Sequence, residues 1–208
     1  LGYAPAMPTR ARRKAPPEDD LGPATAKWDY LDAEGRLIAV VYRYDPPGRR
    51  KEFRPWDARR RKMAPPDPRP LYNQPGMKDA QEVVLVEGEK CAQALIDIGI
   101  VATTAMHGAN APVEKTDWTP LRGKSVLIWP DRDKPGWAYA TAAAQAALAA
   151  GAASVDVAVT HALFAGDALQ VIRAAGAGHV WSTDCIAHES NAVSMAPQLA
   201  EALRPLLH

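Results

Sequence analysis

Two stretches decide the fold of this chain: VVLVEGEK at residues 83–90 and SVLIWPDRDKPG at residues 125–136. Each begins with a short, continuous apolar run, which is typical of a strand buried on both faces of a parallel sheet. EKCAQALIDIG, with helical spacing and a terminal glycine, follows the first run, and the alanine-rich GWAYATAAAQAALAAG follows the second. A buried strand followed by a helix, twice in succession, predicts an α/β domain.

The same alternation extends over the rest of the back half. We predict further strands at IVATTA (100–105), SVDVAVT (154–160) and HVWSTD (179–184), and helices at ALFAGDALQVIRAAG (162–176) and MAPQLAEALRPLL (195–207). Strands that alternate with helices form a mostly parallel sheet covered by helices. We therefore expect an α/β, Rossmann-like fold with a mostly parallel sheet flanked by helices.

A small β-rich basic extension precedes this sheet in the sequence. WDYLDAEGRLIAVVYRYD (28–45) has two extended runs around a turn that ends in Gly35, which predicts a hairpin, and KEFRPW (51–56) adds a third extended piece. Residues 1–26 carry five prolines among Arg and Lys and lack an apolar period, so they are predicted to be a disordered basic arm. The predicted units are residues 1–26, 27–78, 79–160 and 161–208.

Composition narrows the class of protein. The 208 residues are 47% apolar and 24% charged, and no apolar run reaches the length of a membrane span. With no signal-peptide pattern, we expect a cytoplasmic protein and no membrane partner. The two cysteines cannot form a four-cysteine zinc site. Because the first residue is Leu1, the chain is interpreted as a possible fragment of a longer product.

Charge is distributed unevenly along the chain. Residues 1–78 hold 17 Lys and Arg against 10 Asp and Glu, a net charge of +7. Residues 79–208 hold 8 against 14, a net charge of −6. The basic front half therefore suits a nucleic-acid partner, and the acidic back half suits a metal-dependent site.

Three carboxylates follow the two strands that decide the fold. Glu87 ends the first strand, and Asp131 and Asp133 come just after the second. Because the carboxyl ends of parallel strands share one edge of the sheet, we expect these side chains to lie together there. Oxygen ligands with room for water suit Mg²⁺ or Mn²⁺, and a cation of this kind bridges substrate phosphates. Glu87, with its pKa raised by such neighbours, would move a proton to or from a hydroxyl.

VVLVEGEK followed by SVLIWPDRDKPG resembles the Toprim domain of bacterial primases, topoisomerases and related nucleases. Over about residues 27–160 the chain is most similar to primase-like proteins of phages and mobile elements. The resemblance implies that Glu87 and Lys90 are catalytic positions, that Asp131 and Asp133 bind metal with Glu87, and that Gly136 accompanies them. It implies Mg-dependent nucleotidyl transfer or phosphodiester chemistry on DNA, with single-stranded DNA and nucleotides as partners and a separate or fused replicative helicase.

The basic extension carries the residues that we predict to bind nucleic acid. Cations for phosphates and rings for stacking bases are what a single-strand groove needs. The alternative is a solvated basic loop that keeps the protein soluble. The predicted set is Arg49, Arg50, Lys51, Arg54, Arg59, Arg60, Arg61 and Lys62, with Tyr44 and Trp56.

A second resemblance begins after about Gly151. VDVAVTHALFAGDALQVIRAAG (155–176) and HVWSTDCIAHESNAVSMAPQLAEAL (179–203) are similar to the C-terminal part of ribose-phosphate diphosphokinases. The upstream ATP-binding half and the acidic ribose-phosphate loop of that family do not occur in this sequence. Two alternatives to a primase-like enzyme stay open: a diphosphokinase-related fragment that binds a sugar phosphate, and a non-catalytic nucleic-acid-binding module.

Overall fold

The structure of the chain is a computed structural model that describes residues 21–131, 133–164 and 166–207, without the side chains of residues 109, 206 and 207. Most of the predicted basic arm, residues 1–20, lies outside the described residues. Within the described ranges no helix is long and apolar enough to cross a membrane.

A three-stranded antiparallel sheet forms the predicted extension, with strand order β1-β2-β3. The hairpin turn is fixed by Asp32, whose Oδ1 accepts the backbone N–H groups of Glu34 at 3.1 Å and Arg36 at 2.8 Å. Gly35 in this turn has a φ of 80°, a left-handed conformation that favours glycine. The predicted hairpin and third extended piece are confirmed as β1 (Ala26–Leu31), β2 (Leu37–Tyr44) and β3 (Glu52–Asp57).

A six-stranded sheet with strand order β5-β4-β6-β7-β8-β9 forms the rest of the fold, and all its pairings are parallel. The predicted mostly parallel sheet flanked by helices is therefore confirmed. Its strands are β4 (Glu82–Val86), β5 (Ala102–Thr103), β6 (Ser125–Trp129), β7 (Ser154–Val159), β8 (Val180–Thr183) and β9 (Asn191–Val193). The α-helices are α1 (Gln74–Met77), α2 (Glu89–Asp97), α3 (Lys134–Ala149), α4 (Ala168–Ala174) and α5 (Ala196–Leu203).

Two buried clusters lie on opposite faces of the large sheet. Side chains from the centres of β4, β6 and β7 pack on one face against the alanines of α3 and against Leu169 and Ile172 of α4. On the other face, Val86 at the end of β4 packs with Ala92 of α2 and with Tyr30 and Val41 of the small sheet. The small sheet is thus held beside the carboxyl end of β4, where Glu87 follows.

The prediction for helix α4 was wrong at its beginning. The helix starts at Ala168, not at residue 162. Gly166 has a φ of 59°, which a right-handed helix cannot accommodate, and Phe164 instead packs on Trp137 with ring centroids 5.2 Å apart. Helix α1 and strand β9 were not predicted, since each is only three or four residues long.

Candidate active site

The two strands that carry the predicted carboxylates are direct neighbours in the large sheet. β4 pairs with β6 in parallel, and the last residues of the two strands, Val86 and Trp129, are partners in the register. Glu87 therefore leaves the sheet beside the segment that leads to Asp131. The backbone N–H of Asp131 donates to Glu87 Oε1 at 2.8 Å, which ties the two strand ends together.

Asp133 caps a helix at the same edge of the sheet. It is the N-cap of α3, and its Oδ1 accepts the backbone N–H of Gly136 at 2.8 Å. This bond satisfies one of the amide groups that a helix start leaves without an intrahelical partner. One carboxylate oxygen of Asp133 is therefore engaged in capping the helix.

The pKa of Glu87 reflects this crowded setting. Partial burial raises the pKa of its carboxyl, and the negative charges of Asp131 and Asp133 raise it further, while the hydrogen bond from Asp131 opposes the shift. Like charges disfavour ionisation of a neighbouring carboxyl. The sequence predicted a Glu87 pKa raised by the two aspartates; burial is the larger cause of the shift, and the aspartates add to it.

These residues fit a hard divalent cation. In the part of the chain that the structure describes, no three His, Cys, Asp or Glu side chains converge closely enough to enclose a metal ion by themselves. Mg²⁺ is usually bound through one or two carboxylates and completes its shell with water and substrate phosphates. Glu87 and Asp131 supply two carboxylates to the same cleft, which is the donor type and number that such a site uses.

The carboxylates line a cleft of about 460 Å³, which we call the acidic cleft. The small sheet supplies part of its lining through Lys51 and Phe53, and the Lys51 Nζ lies 5.8 Å from the centre of the Phe53 ring. The cleft therefore combines negative groups at the sheet edge with a cation and an aromatic ring. Its lining comprises Val41, Lys51, Phe53, Glu87, Gly88, Glu89, Met106, His107, Gly108, Asn110, Asp131, Asp133 and Pro135.

Glu89 is a cleft residue that sequence reasoning missed. It is 5% exposed, and the Tyr30 hydroxyl donates to its Oε1 at 2.8 Å. Burial raises the pKa of the Glu89 carboxyl, and the bond from Tyr30 works in the opposite direction. A second glutamate two residues after Glu87 was visible in EGEK, but its buried tyrosine partner lies 59 residues earlier in the chain.

His107 is the second cleft residue that was missed. Its φ is 84°, an uncommon value for a residue with a side chain, and its Nδ1 lies 2.9 Å from Arg69 Nη1 and 3.1 Å from the Met106 carbonyl oxygen. Burial and the Arg69 charge lower the pKa of the His107 ring. Nδ1 accepts from Arg69 when the ring proton is on Nε2 and donates to the Met106 carbonyl oxygen when the proton is on Nδ1, so the two contacts belong to different tautomers.

The predicted nucleic-acid-binding residues do not form one surface. Lys51 lines the acidic cleft, whereas Arg59 and Arg60 line a separate cavity of about 380 Å³. Residues opposite each other on antiparallel strands lie on the same face of the sheet, and successive residues along a strand alternate between the two faces. The register places Tyr44, Arg54 and Trp56 on the face of the small sheet opposite to Val41.

Several of these cations are also paired with acidic residues. Arg49 and Arg54 contact the two Glu52 oxygens at 2.9 Å and 3.0 Å, and Arg60 Nε lies 3.7 Å from Asp57 Oδ2. Lys90 is exposed in the first turn of α2 and does not line the acidic cleft. The roles of these residues stay predictions.

Comparisons with known proteins give similarity to solved structures only; no protein-family model and no curated protein sequence matches the chain. A DNA primase domain from Pseudomonas aeruginosa is 22% identical, with a TM-score of 0.49 over 72% of this chain and 47% of that chain. The Aquifex aeolicus primase, with its zinc-binding and RNA polymerase domains, is 19% identical, with a TM-score of 0.47 over 70% of this chain and 36% of that chain. The E. coli primase catalytic core is 16% identical, with a TM-score of 0.45 over 86% of this chain and 56% of that chain. The chain thus spans less than half of the first two structures.

Proposed function

We propose that the chain is a primase-like enzyme that joins nucleotides on a DNA template, with Glu87, Asp131 and Asp133 as a site for Mg²⁺ or Mn²⁺. The observation that carries the proposal is the coupling of Glu87 and Asp131 at the ends of neighbouring parallel strands, through a 2.8 Å hydrogen bond and a raised Glu87 pKa. Repelling carboxylates at one sheet edge need a hard cation to be stable when ionised.

A bound divalent cation would bridge substrate phosphates and neutralise the charge that develops on them. The protein residues have complementary roles. Glu87, whose pKa is raised by burial, accepts a proton from the attacking hydroxyl. Lys51 attracts the anionic substrate into the acidic cleft, where the His107 ring also forms part of the lining.

Finer parts of the proposal concern the biological setting. DNA replication of a mobile element is the proposed context, with single-stranded DNA and nucleotides as partners and a replicative helicase, separate or fused, to open the duplex. The support for this setting is the resemblance of VVLVEGEK and SVLIWPDRDKPG to Toprim sequences of such elements.

Primer synthesis on a single-stranded template, with nucleoside triphosphates and Mg²⁺, tests the proposal. We expect product with the wild-type chain and at least a hundredfold loss in Glu87→Gln and Asp131→Asn. Glu114→Gln is the matched control, because Glu114 is exposed on a short 3₁₀ helix and does not line the acidic cleft. Full activity in Glu87→Gln would contradict the proposal.

Two other outcomes would replace this proposal with one of its alternatives. ATP-dependent pyrophosphoryl transfer to ribose 5-phosphate would identify a diphosphokinase-related activity. Oligonucleotide binding that is unaffected by EDTA and by Asp131→Asn, with no turnover, would identify a non-catalytic nucleic-acid-binding module.

A further inference from the structure

A second cavity shares two carboxylates with the acidic cleft. It has a volume of about 430 Å³, and its lining includes Glu87 and Asp131 together with Val86, Cys91, Ile98 and Trp129. We call it the apolar groove. Its volume is within the range of small-molecule sites. A ligand in this groove meets an apolar surface and the candidate metal site at once.

Trp129 is exposed in this groove for a topological reason. It is the register partner of Val86, so both side chains lie on the sheet face that α2 partly covers. Helix α2 packs over β4 and β5, which lie on one side of β6 in the sheet, whereas β7 lies on the other side of β6. Trp129, on β6, is consequently 41% exposed, although Val86 is only 4% exposed.

The remaining lining is also apolar and accessible. Ile98 is 72% exposed at the end of α2, and Cys91 is an exposed free thiol on the same helix. An indole ring beside aliphatic side chains is a surface on which a flat aromatic ligand stacks. Carboxylates at the same place favour a ligand that brings phosphates and a divalent cation with it.

We propose that the apolar groove is a nucleobase subsite, in which the base of a nucleotide stacks on Trp129 while its phosphates reach the cation held by Glu87 and Asp131. The inference deepens the proposed function: binding of the phosphates depends on the metal site proposed there, whereas the contact with the base does not. A nucleotide combines a flat ring with a polyphosphate at the short spacing that one continuous site requires. The base contact is through a π face, so we expect all four bases to bind with similar affinity.

The base contact and the phosphate contact can be measured separately, by comparing the binding of ATP with the binding of inorganic tripolyphosphate, each with Mg²⁺. Trp129→Leu retains apolar volume without a ring, and we expect it to weaken ATP binding about tenfold and leave tripolyphosphate binding unchanged. Trp129→Phe retains a ring and should restore most of the affinity. The matched control is Trp181→Leu, because Trp181 is 36% exposed on β8, two strands away from β6, and does not line the groove.

The two exposed thiols give an independent test on the unmodified chain. Cys91 lines the groove, and Cys185 lies in the turn after β8. ATP should slow alkylation of Cys91 by iodoacetamide and leave Cys185 unchanged, whereas tripolyphosphate should protect neither thiol.

Failure of this inference is distinguishable from failure of the proposed function. ATP affinity that is unchanged in Trp129→Leu, equal protection of both thiols, or no ATP binding by the wild-type chain would overturn the nucleobase subsite. By contrast, the metal site would be overturned if tripolyphosphate binding still depended on Mg²⁺ in Glu87→Gln and in Asp131→Asn. An effect of Trp129→Leu on ATP alone would then still support the base contact.

Discussion

Gly136 lies so close to Asp131 that a Cβ atom on residue 136 would stand 2.2 Å from the Asp131 carbonyl oxygen and 2.8 Å from Glu87 Oε1. Contacts this short do not occur in folded proteins, and a backbone carbonyl cannot rotate away as a flexible side chain can. The first turn of α3 therefore packs against the Asp131 backbone and the Glu87 carboxylate only because residue 136 has no side chain. The glycine at the end of DRDKPG is explained by this contact.

Gly136→Ala should therefore distort the site and destabilise the fold. We expect a loss of about 1–3 kcal/mol in the free energy of unfolding, the range for overpacked positions, together with loss of any metal-dependent activity. Gly178→Ala is the control, because its Cβ would stand 3.1 Å from a side-chain atom, Asp156 Oδ1, rather than against backbone, and Gly178 does not line the acidic cleft. Urea unfolding of both variants measures the difference; equal stability would contradict the contact.

The Tyr30 and Glu89 pair predicts a pH-dependent effect on stability. The pKa of the buried Glu89 carboxyl is raised, so its favourable contribution to stability is complete below the ordinary value of 4.5 and is lost as the pH rises through the raised value. The Tyr30 hydroxyl offsets this loss by donating to the charged carboxylate. Tyr30→Phe should therefore cost about 1–3 kcal/mol at neutral pH and clearly less at pH 4.

Tyr72→Phe provides the matched control for that pH dependence. Tyr72 stacks edge-on against Tyr30, with ring centroids 5.3 Å apart, but its hydroxyl donates to the neutral amide of Gln93 at 2.8 Å. Its cost should be the same at both pH values when unfolding is followed in urea. A Tyr30→Phe cost that does not change with pH would show that Glu89 is not ionised in the native state.

The contact between Arg69 and His107 predicts how the pKa of the His107 ring changes when Arg69 is replaced. Since the Arg69 charge lowers the pKa of the His107 ring, Arg69→Met should raise that pKa. NMR titration of the His107 ring protons measures the change. Arg173→Met, which removes the surface partner of Glu189, should leave the His107 titration unchanged. A His107 pKa that falls in Arg69→Met would mean that the guanidinium does not contact the ring.

Lys51 should contribute to single-stranded DNA binding more than its basic neighbours do. It lines the acidic cleft, whereas Arg60 lies beside Asp57. Lys51→Ala should weaken oligonucleotide binding and reduce the slope of log K against log salt by about one, as expected for one lost phosphate contact. Lys78→Ala, which removes the partner of Glu34 outside the cleft, is the control. Equal losses in both variants would indicate a non-specific charge effect.

The strand ends that carry the candidate site could be predicted from the sequence, and much of the site around them could not. Buried apolar runs and their order along the chain were enough to place Glu87 and Asp131 at the same edge of a parallel sheet, and the structure adds that their strands are direct neighbours. The buried partner of Glu89 and the contact of Arg69 with His107 depend on packing between segments distant in sequence, which no local pattern encodes.

Two local interpretations needed tertiary information as well. The basic residues 49–62 looked like one surface because they are close in sequence, but strand alternation and the turn after β3 direct them to different sides. The helical spacing of residues 162–176 did not reveal that Phe164 packs on Trp137, so that α4 begins only at Ala168.

The central claim is that Glu87 and Asp131 bind one divalent cation at the carboxyl ends of β4 and β6. Mn²⁺ binding followed by electron paramagnetic resonance tests it most directly, because the signal of free Mn²⁺ reports occupancy without any need for turnover. We expect one Mn²⁺ site in the wild-type chain, competed by Mg²⁺, and its loss in Asp131→Asn and Glu87→Gln but not in Glu114→Gln. Unchanged Mn²⁺ binding in Asp131→Asn and Glu87→Gln would contradict the claim.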